Sequence, residues 1–114
     1  MGFMFEKLDV YQKALDFAEE IFRLTDTLPK GQAAIADQFK RAAISISLNI
    51  AEGNGRYTKA DRINFFRIAR GSAFECVPIL EICFRRGLID KANGELLKKT
   101  LEDISKMLSG LMNC

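Results

Sequence analysis

Two cysteines, Cys76 and Cys83, stand seven residues apart in one apolar stretch. On a helix that spacing puts both thiols on one side, about 10 Å apart along the axis. The pattern reads either as half of a redox or metal site or as two small buried hydrophobes. The separation is too long for a disulfide, and Cys114 makes the cysteine count odd. The chain has no histidine, which removes the commonest general base, the commonest metal ligand and the ordinary pH switch. Glu52 and Arg70 are charges set among apolar neighbours. Glu52 reads either as a catalytic carboxylate or as half of a shielded ion pair with Arg70 that fixes helix register. No nucleophile or metal-ligand cluster accompanies it, so the residues point away from an enzyme and imply no cofactor or metal. Gly53-Asn54-Gly55 lacks the spacing of a phosphate-binding loop.

Positive charge is the other chemical resource. Arg56, Lys59, Arg62, Arg67, Arg85 and Arg86 are candidate contacts to nucleic acid, since phosphate binding needs Lys and Arg gathered on one face. Residues 1–30 carry six acids and four bases, whereas residues 58–89 carry three acids and six bases. The whole chain is only +2, with a pI near 8.5, below the value of about 9 usual for dedicated nucleic-acid domains. A solvated basic face is the plainer reading for a single copy; repetition in an oligomer would multiply the patch.

These side chains need elements to hold them. The chain has 114 residues, 48% hydrophobic and 28% charged, which suits one domain over residues 1–114 with a real core and excludes a disordered chain. It has no apolar run of about 18 residues, so no membrane span is expected. The start of the chain has no signal-peptide pattern, so a cytoplasmic protein with reduced thiols is expected. Leu28-Pro29-Lys30-Gly31, Gly53-Asn54-Gly55 and Gly87 cut the chain into four segments. Between the cuts the apolar period is close to 3.6, the helical value.

The spacing predicts helices over about 5–27, 33–53, 59–86 and 91–112. Their apolar stripes read Leu8, Tyr11, Leu15, Ala18, Phe22; Ile35, Phe39, Ala42, Ile46, Ile50; Ile63, Phe66, Ala73, Val77, Leu80, Phe84; and Leu97, Leu101, Ile104, Leu108, Leu111. Thr58 and Asp90 suit helix N-caps. Pro78 predicts a bend inside the third helix, since the apolar pattern continues past it. Four helices with short connections make an all-α, antiparallel up-down four-helix bundle.

Two helices carry more than one face needs. Beside the stripe of the second runs a polar ladder, Gln38, Arg41, Ser45, Asn49 and Glu52, which together with Arg70 forms a candidate structural polar network. Ile44 and Leu48 on the second helix, and Phe65, Ile68, Ile79 and Ile82 on the third, form a second apolar face. A connected exposed face of this kind marks an interface, so these six are candidate oligomer contacts.

The run Gln38-Phe39-Lys40-Arg41-Ala42-Ala43-Ile44-Ser45-Ile46-Ser47-Leu48-Asn49-Ile50-Ala51-Glu52-Gly53 resembles the core motif of a bacterial family. So do Phe66-Arg67-Ile68-Ala69-Arg70-Gly71-Ser72-Ala73-Phe74-Glu75, Phe5-x-x-Leu8-x-Val10-x-x-x-Ala14 and Leu28-Pro29. This is the four-helix-bundle, intervening-sequence, ribosomal-protein-like family, whose genes were first noticed inside insertions in large-subunit ribosomal RNA genes. Pro78 and the cysteines of the third helix depart from its pattern. The resemblance implies a homopentameric ring. It also implies a distant link to the accessory variability determinant protein of diversity-generating retroelements, which binds nucleic acid and a reverse transcriptase. Two functions follow as expectations: a homo-oligomeric adaptor that binds RNA or DNA, with or without a protein partner, or an assembly module with no nucleic-acid role.

Overall fold

The caps at Thr58 and Asp90 and the stop at Gly87 act where the sequence places them. In the computed structural model, which describes residues 2–113, helix α1 spans Asp9–Asp26, α2 Ala33–Asn54, α3 Lys59–Arg85 and α4 Lys91–Met112. The Thr58 hydroxyl accepts the Asp61 amide at 3.1 Å, capping α3, and the Asp90 carboxylate accepts the Asn93 amide at 2.8 Å, capping α4. Gly87 has a φ of 72°. Its amide donates to the Phe84 carbonyl and that of Leu88 to the Cys83 carbonyl, a Schellman ending that satisfies the last carbonyls of α3. A side chain at Gly87 would strain that left-handed backbone.

The helices pack as an up-down bundle measuring 44 × 26 × 21 Å. The length is that of α3, whose 27 residues rise about 40 Å and run unbroken through Pro78. Sequential helices are neighbours, and α1 closes on α4. The α2–α3 pairing is the most extensive and the α1–α4 pairing the thinnest. Toward the C-terminal end of α1 the thin seam opens into a groove lined by Leu24, Leu88, Leu97 and the exposed Leu96.

The core joins all four helices: Val10, Ala14, Phe17 and Ile21; Phe39, Ala43, Ile46 and Ile50; Phe66, Ala69, Ala73, Cys76, Leu80 and Cys83; Leu101, Ile104 and Leu108. The stripes expected on α2 and α4 are the ones buried, except that Ile35, Leu97 and Leu111 lie half-buried at the ends. Helix α1 differs. Its apolar residues cover an arc of about 200°, and the core takes the Val10–Phe17–Ile21 side. Leu8, Tyr11, Leu15 and Ala18 are half-buried on the other side, and Phe22 is exposed. The expected start at residue 5 also differs. Met4–Lys7 form a separate 3-10 turn, and Leu8, with extended backbone, divides it from α1. On α3 the buried stripe is rotated from the expected one, so Phe84 is half exposed and Ile79 is buried.

Candidate functional site

The α2–α3 seam carries most of the polar chemistry. Small residues line it: Ala42, Ala43, Ser45 and Gly53 on α2; Ala69, Ser72, Ala73 and Cys76 on α3. Small side chains let the two backbones approach. A Cβ on Gly53 would stand 2.9 Å from the Phe66 ring and 3.0 Å from the Phe65 Cβ, so only glycine fits there.

Of the expected ladder only Ser45 and Asn49 bond each other; Gln38 and Ser45 reach α3. Ser45 Oγ lies 2.8 Å from Ser72 Oγ. The Asn49 amide donates to the Ser45 carbonyl at 2.8 Å and to its hydroxyl at 3.0 Å. Gln38 donates to the Glu75 carboxylate at 2.6 Å. Arg41 is exposed on the outer side. Ser72 and Glu75, the α3 partners, escaped the sequence reading; the small-residue run from Ala69 to Ala73 was the signal for them.

Glu52 and Arg70 do not meet. Glu52 points outward and pairs at 2.9 Å with Arg56, four residues on and just past the end of α2. Arg70 donates to the Ser109 hydroxyl of α4 at 3.0 Å and is half-buried. The physical reason is the rotated core of α3. Ala69, Ala73 and Cys76 mark its centre, which leaves Arg70 on the α4 edge while Glu52 faces out from α2. Glu52→Ala is therefore expected to lower stability by no more than about 1 kcal/mol, the range of exposed ion pairs. Urea unfolding measures it, and a loss of several kcal/mol would contradict the exposed placement.

The six basic candidates form two groups. Lys59 and Arg85 lie about 39 Å apart along α3. At the first end, the Arg56 guanidinium covers the Phe65 ring, 4.6 Å from its centroid. Arg62 donates to the carbonyls of Arg56 and Tyr57 at 3.1 and 2.8 Å, bracing the α2–α3 turn that displays the fully exposed Tyr57. Lys59 and Arg67 are exposed there, as are Arg85 and Arg86 at the far end. Among the described residues these four make no ion pair.

Of the apolar candidates, Leu48, Ile68 and Ile82 are 60%, 44% and 47% exposed. Ile44 and Phe65 are half-buried, the latter under Arg56. Ile79 belongs to the core of its own copy and drops out of the exposed face. Phe74 is 61% exposed on α3, and Phe3 and Met4 of the N-terminal turn are exposed as well. The sequence reading missed all three, because Phe74 sits between the two stripes it recognised and Phe3 and Met4 precede the expected helix start at residue 5.

Cys76 and Cys83 are fully buried. Burial, with the charge of Glu75 second, pushes the Cys76 thiol up to about 12, and burial raises Cys83 too. Neutral thiols in an apolar core are poor nucleophiles and poor metal ligands. Cys114 lies outside the described residues. Among the described residues no three His, Cys, Asp or Glu side chains gather as a metal site, and no helix is long and apolar enough to cross a membrane.

No curated protein matches the chain. A solved structure does. It is the crystal structure, at 1.70 Å, of a protein of unknown function from the S23 ribosomal protein family of Bacteroides thetaiotaomicron VPI-5482. It is 30% identical, with a TM-score of 0.85, over 92% of this chain and 96% of that one. Residues 6–110 match the model of a family described as 23S rRNA-intervening sequence protein. That match takes in all four helices and the whole α2–α3 seam, and so the chain belongs to the 23S rRNA-intervening sequence protein family.

Proposed function

We propose that the protein is a non-enzymatic, self-associating helical adaptor that works in the cytoplasm as a ring, the homopentamer that the family resemblance implies. The observation that carries this reading is the exposed apolar set Leu48, Ile68, Phe74 and Ile82 on the outer side of α2 and α3. Apolar side chains left in water along the outer sides of two packed helices suit burial against another copy. Sedimentation at micromolar concentration is expected to give a mass several times 12.8 kDa. A single 12.8 kDa particle would remove the reading.

A second reading adds RNA or DNA as partner to the assembled form. The exposed, unpaired Lys59, Arg67, Arg85 and Arg86 favour it, because symmetry would repeat each group around a ring. Affinity should then fall with salt, with a log–log slope of about −0.9 per phosphate neutralised on duplex DNA. Lys59→Ala with Arg67→Ala should flatten that slope and leave thermal stability unchanged. A titration with no binding at low salt leaves the assembly module alone, with other proteins as its partners.

A further inference from the structure

Where α2 ends and α3 begins, a pocket of about 230 Å³ opens, lined by Asn54, Lys59, Arg62, Ile63, Phe66 and Leu111. Ile63, Phe66 and Leu111 make one part of its lining apolar; Asn54, Lys59 and Arg62 bring an amide and two cations. The volume exceeds the roughly 150 Å³ of a cavity that admits benzene. A single flat ring therefore has room in it.

The polar groups have bonding capacity to spare. Among the described residues the half-buried Asn54 amide has no hydrogen-bond partner, and Lys59 has no ion pair. No acid lines the pocket: Glu52 pairs with Arg56, and Asp61 lies outside the lining, its own amide given to the Thr58 cap. Residues 52–62 together carry only +1, Arg56, Lys59 and Arg62 against Glu52 and Asp61. So small a charge does not hold a polyanion by itself. An aromatic ring stands ready to add to it. Tyr57 is fully exposed. The Arg62 guanidinium that lines the pocket also binds the Arg56 and Tyr57 carbonyls, so the turn that displays the ring is tied to the pocket wall. A ring held out in this way is a platform on which a base can stack, whatever its sequence.

We infer that this end of the bundle binds an unpaired stretch of RNA or DNA. One pyrimidine base enters the pocket with its polar edge toward Asn54, and the next base stacks on Tyr57. Lys59 and Arg62 meet the phosphate that joins them. The inference rests on the nucleic-acid reading above and narrows it to single strands. A duplex keeps its bases paired and stacked, so it can offer neither base without first extruding it.

A uridine dodecamer tests this, since its bases neither pair nor stack strongly with one another. Tyr57→Ala should weaken binding about five- to 150-fold, the range for one lost base stack, and leave the salt slope unchanged because no phosphate contact is lost. Restoring a ring with Tyr57→Phe should recover the affinity. Asn54→Leu should weaken binding about two- to tenfold. An abasic strand of the same length should bind the wild type poorly, and Tyr57→Ala should weaken it no further. Tyr57→Ala should leave the melting temperature in place, since the side chain touches solvent alone; if Asn54→Leu shifts it, Tyr57→Ala and the abasic strand carry the test. The chain has two tyrosines and no tryptophan, so tyrosine emission reports the stack directly. The dodecamer should quench it in the wild type and not in Tyr57→Phe. Equal affinity of the dodecamer for wild type and Tyr57→Ala overturns the inference, as does an abasic strand that binds as tightly as the intact one. Free uridine monophosphate that competes at the dodecamer's own concentration also overturns it, since the site would then take single nucleotides. No binding of either the dodecamer or a duplex at low salt removes the nucleic-acid reading instead.

Discussion

Phe39→Ala is expected to lower the unfolding free energy by about 3–5 kcal/mol, the range for emptying a packed phenylalanine site. Phe39 is fully buried in the second turn of α2, and its ring meets that of Phe17 on α1 edge-on at 6.4 Å. The loss is large beside a total stability of about 5–15 kcal/mol for a domain of this kind. Phe17→Ala should cost a similar amount. The double variant should cost less than the sum, by about 0.5–1.5 kcal/mol, because both single changes delete one shared ring contact. Urea unfolding at fixed protein concentration reads all three, since self-association would make stability depend on concentration. A loss below about 1 kcal/mol for Phe39→Ala would contradict the packing of α1 on α2 at this level.

What the sequence disclosed follows from how many solutions each segment allows. On helix α2 the stripe Phe39–Ala42–Ile46–Ile50 outruns the pair Ile44 and Leu48, and that stripe is buried. Thr58 and Asp90 are cap residues with only one helix each to cap, so both starts were legible. Helix α1 allowed two stripes, and only the docking of α2 and α4 selects Val10, Phe17 and Ile21. Its break at Leu8 depends on the Glu6 and Gln12 hydrogen bonds, which no spacing announces. Glu52 and Arg70 looked like partners because both sit among apolar letters. A rotation of α3 by part of a turn gives each a different neighbour, Arg56 and Ser109. The same rotation buries Ile79 and exposes Phe74 and Phe84. The ladder was visible as spacing, but Ser72 and Glu75 became its partners only once α2 and α3 were in register.

Alkaline pH should destabilise the protein through Cys76. Its thiol is fully buried and pushed up to about 12 from an ordinary value of 9.0. A folded value above the unfolded one means that the folded state holds its proton longer. The stabilisation is therefore complete below pH 9 and is lost as the pH climbs toward 12. The slope is about 1.4 kcal/mol for each pH unit in that window, or about 4 kcal/mol across it. Cys76→Ala removes the titrating group, so its stability should fall less steeply over the window even though it starts lower. Parallel slopes for the two proteins would contradict the account. Below pH 9 both cysteines should resist thiol reagents until the protein is unfolded.

The thin α1–α4 seam links folding to assembly. Helices α2, α3 and α4 each lean on a sequential neighbour, and contacts between sequence neighbours form early and fast. Helices α1 and α4 each have one sequential neighbour and share the thin seam, but α1 packs on α2 less extensively than α4 packs on α3. It is therefore the unit that opens at lowest cost, in the way that cooperative segments separate within a native protein. The N-terminal turn travels with α1, since Gln12 and Tyr11 tether it. When α1 lifts, the Phe3, Met4 and Phe5 side chains that face Leu48 go with it. Amide hydrogens of α1 should therefore exchange before those of the other three helices, so the first helix is the bundle's loosest member and the one that any partner bound to the closed bundle would tighten most.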